Sequence, residues 1–123
     1  MALVTLTWLG GSHDFRLGIG EIRAIQQASD AGPMHVHARI ISGHWFVDDL
    51  YEPIRQGLVG GGMVQSEATQ LVDRLFSQHP LGEFTLTAQA VLAAAILGLD
   101  AVVEDDEPAE DEDAEPEKPV GVD

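Results

Sequence analysis

The chain contains no cysteine, which excludes disulfide staples and thiolate metal sites and leaves a reducing compartment open to it. Basic residues are scarce: six Lys plus Arg stand among 21 Asp plus Glu. A nucleic-acid interface draws its affinity from a basic surface, and that ratio argues against one. Long apolar runs are missing too. The strongest, Ala88 to Leu99, is interrupted by Gln89 and falls short of the roughly twenty residues that a membrane-spanning helix needs. No basic flank precedes the apolar residues at the N-terminus, so no secretory signal is indicated, and the protein is expected to be soluble and to stay where it is made. No internal repeat is evident, and at 123 residues one domain is the default.

The charge that is present is unevenly placed. From Glu104 onward eleven acidic residues face Lys118, so that segment holds −10 of the formal −15 and leaves −5 for residues 1–103. The first part reads as an ordinary, mildly acidic folded domain. Residues 104–123 have blocks of like charge, several prolines and almost nothing apolar, so they bury too little surface to offset ordering entropy and are expected to form a disordered acidic tail. Such a tail keeps a complex soluble or meets a basic partner.

Residues 3–8 alternate, with Val4, Leu6 and Trp8 on one side and Thr5 and Thr7 on the other, the pattern of a half-buried strand. A primed turn at Gly10-Gly11 would put Leu6 opposite Phe15 and Val4 opposite Leu17, giving the hairpin one apolar face. A lone hairpin is marginal in water, so helices must cover it. Ile19, Ile22, Ile25 and Ala28 mark a short helix closed by Asp30-Ala31-Gly32-Pro33. Residues 33–42 fit either a strand or a helix, and Pro33 at the start with Gly43 just past the end favours the helix.

Asp49 fits an N-cap for the next helix, with Glu52 placed to reach back as the other half of a capping box and Pro53 tolerated in the first turn. Leu50, Ile54 and Leu58 repeat at helical spacing, and Gly60-Gly61-Gly62 ends the helix where φ > 0 is tolerated. No Lys-Ser/Thr follows these glycines, so they are not a phosphate loop. Ser66 with Glu67 suggests a capped start for a helix whose apolar stripe is Ala68, Leu71, Val72, Leu75 and Phe76. A last helix from about Pro80 to Leu99 is apolar nearly all round, as for a helix in the middle of a bundle or against another protein. The fold class expected is therefore α+β and mainly α, an N-terminal β-hairpin packed on four or five helices over residues 1–103.

No set of residues carries recognisable chemistry. His35, His37 and His44 have ligand atoms, but an i, i+2 pair points to different sides of a helix and no carboxylate completes the set. Asp48 and Asp49 form an acid pair without a nucleophile beside it, and the cap role accounts for Asp49. No enzyme and no cofactor is implied. What remains is aromatic: Trp45, Phe46 and Tyr51 gather three of the seven aromatics near one helix start, either as core packing or as anchors for a protein partner. Trp45 is expected to be mostly structural, with Phe46 or Tyr51 at the surface.

The segments Leu17-Gly18-Ile19-Gly20-Glu21-Ile22, Gly32-Pro33, Arg39 with Ser42-Gly43 and Trp45, Asp49, Ile54-Arg55, Gly57-Leu58-Val59-Gly60-Gly61-Gly62-Met63, Ala68 and the alanine-rich Pro80 to Gly98 together resemble the gene transfer agent family of small phage-tail proteins. That group is named variously as tail tube-like proteins and tail assembly chaperones. The resemblance spans residues 3–100, and the Gly57 to Met63 run is its most specific part. It implies a non-enzymatic role in building a phage-like tail in the bacterial cytoplasm: a chaperone that coats the long tape-measure protein while tube subunits polymerise, with other tail proteins and a possible homo-oligomer as partners. The alternatives are a structural tail subunit, as a tube or tail-completion protein, and an acidic adaptor unconnected with phages. For a tube subunit of the common type the visible strand content, one hairpin, is low.

Overall fold

The computed structural model describes residues 3–98. Its elements in order are β1 (Val4–Trp8), β2 (Gly11–Phe15), α1 (Ile19–Ser29), α2 (Pro33–Ser42), α3 (Val47–Gly60), α4 (Gln65–Gln78), one 3-10 turn (Leu81–Phe84) and α5 (Thr85–Leu97). The expected α+β class, a hairpin on five helices, is the observed one. The acidic tail and the boundary after residue 103 lie outside the described residues.

Helix α3 is the axis of the molecule and packs against α1, α2, α4, α5 and β2. Leu50, Ile54 and Leu58, at successive helical turns, are fully buried, and β2 delivers the fully buried Phe15 to the same core. The all-round apolar character of α5 follows from its position. It lies against α3, α2, β1 and the 3-10 turn, and Ala88, Ala90, Val91, Leu92, Ala93 and Ala94 are all buried. A helix touched on several sides has no face left to make polar.

The hairpin pairs differently from the expected register. Val4 stands opposite Phe15, Leu6 opposite His13 and Trp8 opposite Gly11, so Leu9 and Gly10 form the turn, and Leu17 lies beyond the strand. The slip is two residues, which leaves every side chain on its expected face, and Val4, Leu6, Phe15 and Leu17 are all buried. Four features select the observed pairing. The Trp8 indole lies over Gly10, where an added Cβ would come within 2.7 Å of the ring, and Gly11 has φ +108°. Trp8 Nε1 donates to His13 Nδ1 at 2.9 Å, and the Thr5 hydroxyl donates to Asp14 at 2.7 Å.

Helix α2 begins with Pro33 at its first position and ends at Gly43 with φ 83°, as the favoured reading of that segment requires. Other ends differ. Helix α4 starts at Gln65 with Val64 before it and no side-chain cap, so Ser66 and Glu67 already lie in its first turn. The segment from Pro80 divides, because Leu81–Phe84 winds more tightly before α5, which stops at Leu97 ahead of Gly98 with φ 70°. Ile19, one of the apolar residues that marked α1 by periodicity, is exposed.

Candidate partner-binding site

The surface in question is made where α2 ends and α3 begins. Gly43 turns the chain in the left-handed region, its N–H donating to the Ile40 carbonyl at 3.2 Å while His44 N–H reaches the Arg39 carbonyl at 2.9 Å. Trp45 is then half-buried and packs on the core. Phe46 caps α3, and Phe46 and Val47 are 63% and 50% exposed.

Asp49 organises this corner in a manner that the sequence reading placed three residues off. It is not the N-cap but the third residue of α3. Its carboxylate accepts the Phe46 backbone N–H at 2.8 Å, and its own N–H donates to the Phe46 carbonyl at 3.0 Å. Glu21 does the same for α1, accepting the Gly18 N–H at 2.7 Å. The Asp49 side chain is fully buried and pairs with Arg39 Nη1 at 3.2 Å. The same Arg39 nitrogen donates to the Ser29 carbonyl at the end of α1, also at 3.2 Å, so one guanidinium ties α1, α2 and α3 together. A charge this deep persists only when paired and hydrogen-bonded. The Phe46 ring lies 4.8 Å from the Arg39 guanidinium carbon, a cation–π contact that holds an otherwise exposed ring in place.

Glu52 has a different task from the expected capping role. It is buried on α3 and accepts from Arg55 Nη2 at 3.0 Å and Gln56 Nε2 at 3.2 Å. Pro53 stands in the second turn rather than the first, with its ring fully buried, at the cost of one backbone hydrogen bond to the Asp49 carbonyl.

The three aromatics do not share one surface. Trp45 faces the core and Phe46 the solvent. Tyr51 turns toward α4, where it is half-buried, meets Phe76 edge-on at 5.4 Å between centroids, and donates its hydroxyl to Asp73. Burial first, and the Asp73 carboxylate second, push the Tyr51 phenol up to about 12. Of the histidines considered as ligands, His37 is buried, and that burial lowers its pKa; His35 and His44 are exposed. Among the described residues, no group of three or more His, Cys, Asp or Glu converges in a metal-binding arrangement.

The glycines form a second feature, a seam along α3. The Gly57 carbonyl accepts the Arg16 N–H at 3.0 Å, and a Cβ at Gly57 would stand 2.9 Å from Phe15 and 3.0 Å from Val91. A Cβ at Gly60 would fall 1.9 Å from the Arg16 carbonyl oxygen, and one at Gly61 2.0 Å from that of Asp14. The end of β2, at Asp14, and Arg16 just beyond it thus lie backbone to backbone on the end of α3. Only Gly62, with φ +118°, has the conformational role that the triplet suggested; Gly62 and Met63 N–H close the helix on the Val59 and Leu58 carbonyls. The Arg39–Asp49 tie and the glycine seam are the features that sequence reasoning missed. Arg39, the sole charge in a ten-residue helix, was the available signal for the first.

Fold and surface together define a small helical module under one hairpin, with a rigidly mounted aromatic at its edge. A family model described as phage tail tube protein, GTA-gp10, matches residues 2–98, and the chain belongs to that family of phage tail-like, gene transfer agent proteins. No curated protein and no solved structure matches it.

Proposed function

We propose that, within phage-like tail morphogenesis, this protein is an assembly chaperone: it covers apolar helices of the tape-measure protein in the bacterial cytoplasm while the tube polymerises, and then leaves. The observation that carries this reading is the architecture. A tube ring closed by continuous sheet needs strands that run from subunit to subunit, and the described residues offer two five-residue strands on a helical body. Phe46, exposed and held by the Asp49 and Arg39 contacts, with the exposed Val47 beside it, suits helix-in-groove recognition, in which rigid apolar anchors lose little entropy on binding. The family's own description favours the second reading, a structural tube subunit. Mass spectrometry of purified particles separates the two. A chaperone is abundant in assembling lysates and near absent from mature tails; ring-like copy number in mature tails overturns the chaperone reading.

A further inference from the structure

We propose that His13 and Trp8 form an acid-sensitive latch on the hairpin: the neutral imidazole accepts the indole N–H and seats that ring over the turn, and a proton on the imidazole releases it. Trp8 Nε1 donates to His13 Nδ1 at 2.9 Å. An indole N–H is a donor only, so the nitrogen opposite it must carry a lone pair, which makes His13 neutral with its proton on Nε2. Protonation puts a hydrogen on Nδ1 as well, and two donors then face each other. The ring geometry adds to the conflict. The rings meet edge-on, 5.9 Å between centroids and 64° apart in plane, so the positive edge of the indole would face an imidazolium.

What the latch holds is the tip of the hairpin. The indole covers Gly10, where an added Cβ would stand 2.7 Å from the ring and 3.0 Å from Leu75 of α4, and it meets Phe15 edge-on at 5.7 Å. The bond to His13 and the contact with Gly10 are among the features that choose the observed register over its two-residue slip, which apolar alternation tolerates equally well. With the bond broken, the indole is no longer fixed over Gly10, and the turn at Leu9 and Gly10 loosens beside α4. The base of the hairpin is held separately, by the Arg16 N–H on the Gly57 carbonyl at 3.0 Å. Acid therefore frees the tip and leaves the sheet on α3.

The ionisable groups around His13 are few. Opposite it on β1 stands Leu6. Asp14 and Arg16, on β2 and just past it, alternate to the other face, and the Asp14 carboxylate takes the Thr5 hydroxyl at 2.7 Å. The end of α3 under β2, residues 57–61, and the whole of α5, which packs on β1, have no ionisable side chain. Helix α4 reaches the turn through Leu75. Of the ionisable groups near that residue in sequence, Arg74 is exposed, Asp73 is bonded to Tyr51, and His79 lies 3.6 Å from Glu83. The proton that opens the latch is thus the one taken up by His13 itself.

Nuclear magnetic resonance of the full chain from about pH 8 down to about pH 5, the range in which histidine side chains change charge, tests this. The imidazole nitrogen shifts should show the Nε2–H tautomer for His13 at neutral pH. The Trp8 indole N–H resonance, assigned by its absence from Trp8→Phe, should move upfield in acid with the same midpoint as the His13 ring. His13→Gln offers an acceptor that does not titrate and should hold the indole resonance at its neutral position throughout, whereas His13→Leu should place it at the acid position at every pH. An Nδ1–H tautomer at neutral pH, an indole resonance that ignores the His13 titration, or a His13→Gln protein that shifts with acid as the parent does overturns the proposal. The first two readings use the unaltered chain, so they decide even where a variant fails to fold. None of them involves tail assembly, and they stand or fall apart from the chaperone reading.

Discussion

Replacing Gly61 with alanine tests whether the glycine triplet is a steric seam or only a flexible stop. The backbone at Gly61 has φ −82°, which any residue accepts, so conformational freedom predicts a harmless change. The geometry predicts the reverse. A Cβ there would lie 2.0 Å from the Asp14 carbonyl oxygen and 2.6 Å from its carbon, well inside ordinary contact, and backbone atoms cannot rotate away. The end of β2 must therefore lift by more than about 1 Å from α3, which overpacked sites relieve only at about 1–3 kcal/mol. Lifting also stretches the Arg16 N–H to Gly57 carbonyl bond, now 3.0 Å, whose net worth is about 0.5–1.5 kcal/mol. A loss of about 2–4 kcal/mol follows, a large share of the stability of an ordinary domain. In a domain of this size that lowers the midpoint by roughly 10–25 °C. Thermal and urea melts followed by circular dichroism measure it. Gly20→Ala is the control, since Gly20 is helical and a Cβ there meets nothing within 4 Å; it should gain about 0.5–1 kcal/mol. A Gly61→Ala protein that melts with the parent would refute the seam.

The Arg39→Ala variant strands a fully buried carboxylate and should cost about 3 kcal/mol; adding Asp49→Ala in a double-mutant cycle should show coupling, and strict additivity in urea melts would count against the tie. Trp45→Ala is expected to lower the melting midpoint by at least 10 °C and Phe46→Ala by only a few degrees, with Phe46→Ala the one that weakens capture of a tape-measure helix in pull-downs. Two ionisations give opposite pH limbs. Tyr51, raised from 10.0 to about 12, favours the folded state fully below pH 10, and that stability is lost as pH rises through 12; phenolate absorbance and Tyr51→Phe melts read it. His37, lowered from 6.5 by burial, favours the folded state fully above 6.5 and loses that contribution as pH falls below it, so His37→Gln should flatten the acid limb of a melt series.

Much of the fold was legible because periodicity and punctuation agree. Pro33 and Gly43 bracket α2 as its ends require, and the Leu50, Ile54, Leu58 spacing is the buried stripe of α3. The hairpin's existence was readable and its register was not, for a physical reason. Slips of two residues preserve the inside and outside of a strand, so apolar alternation cannot distinguish them; the decision lay in the Trp8 indole over Gly10 and its hydrogen bond to His13, contacts with no signature in hydropathy.

The same limit explains the site. Capping motifs are read as local pairs, and Asp49 with Glu52 has a suitable spacing, yet Phe46 with Asp49 has the same spacing and is the pair that forms. What distinguishes them is Arg39, ten residues earlier, because burial of Asp49 requires a cation and only the α2–α3 corner brings one within 3.2 Å. Tertiary pairing thereby decides where the helix begins. Once Asp49 is fixed inward, the Phe46 N–H is bound and its ring has the Arg39 guanidinium beneath it, so the residue ahead of the helix must face outward. The exposed Phe46 ring and the buried ion pair are two sides of one constraint, and a change that frees Asp49 should lose the orientation of Phe46 before it loses the fold.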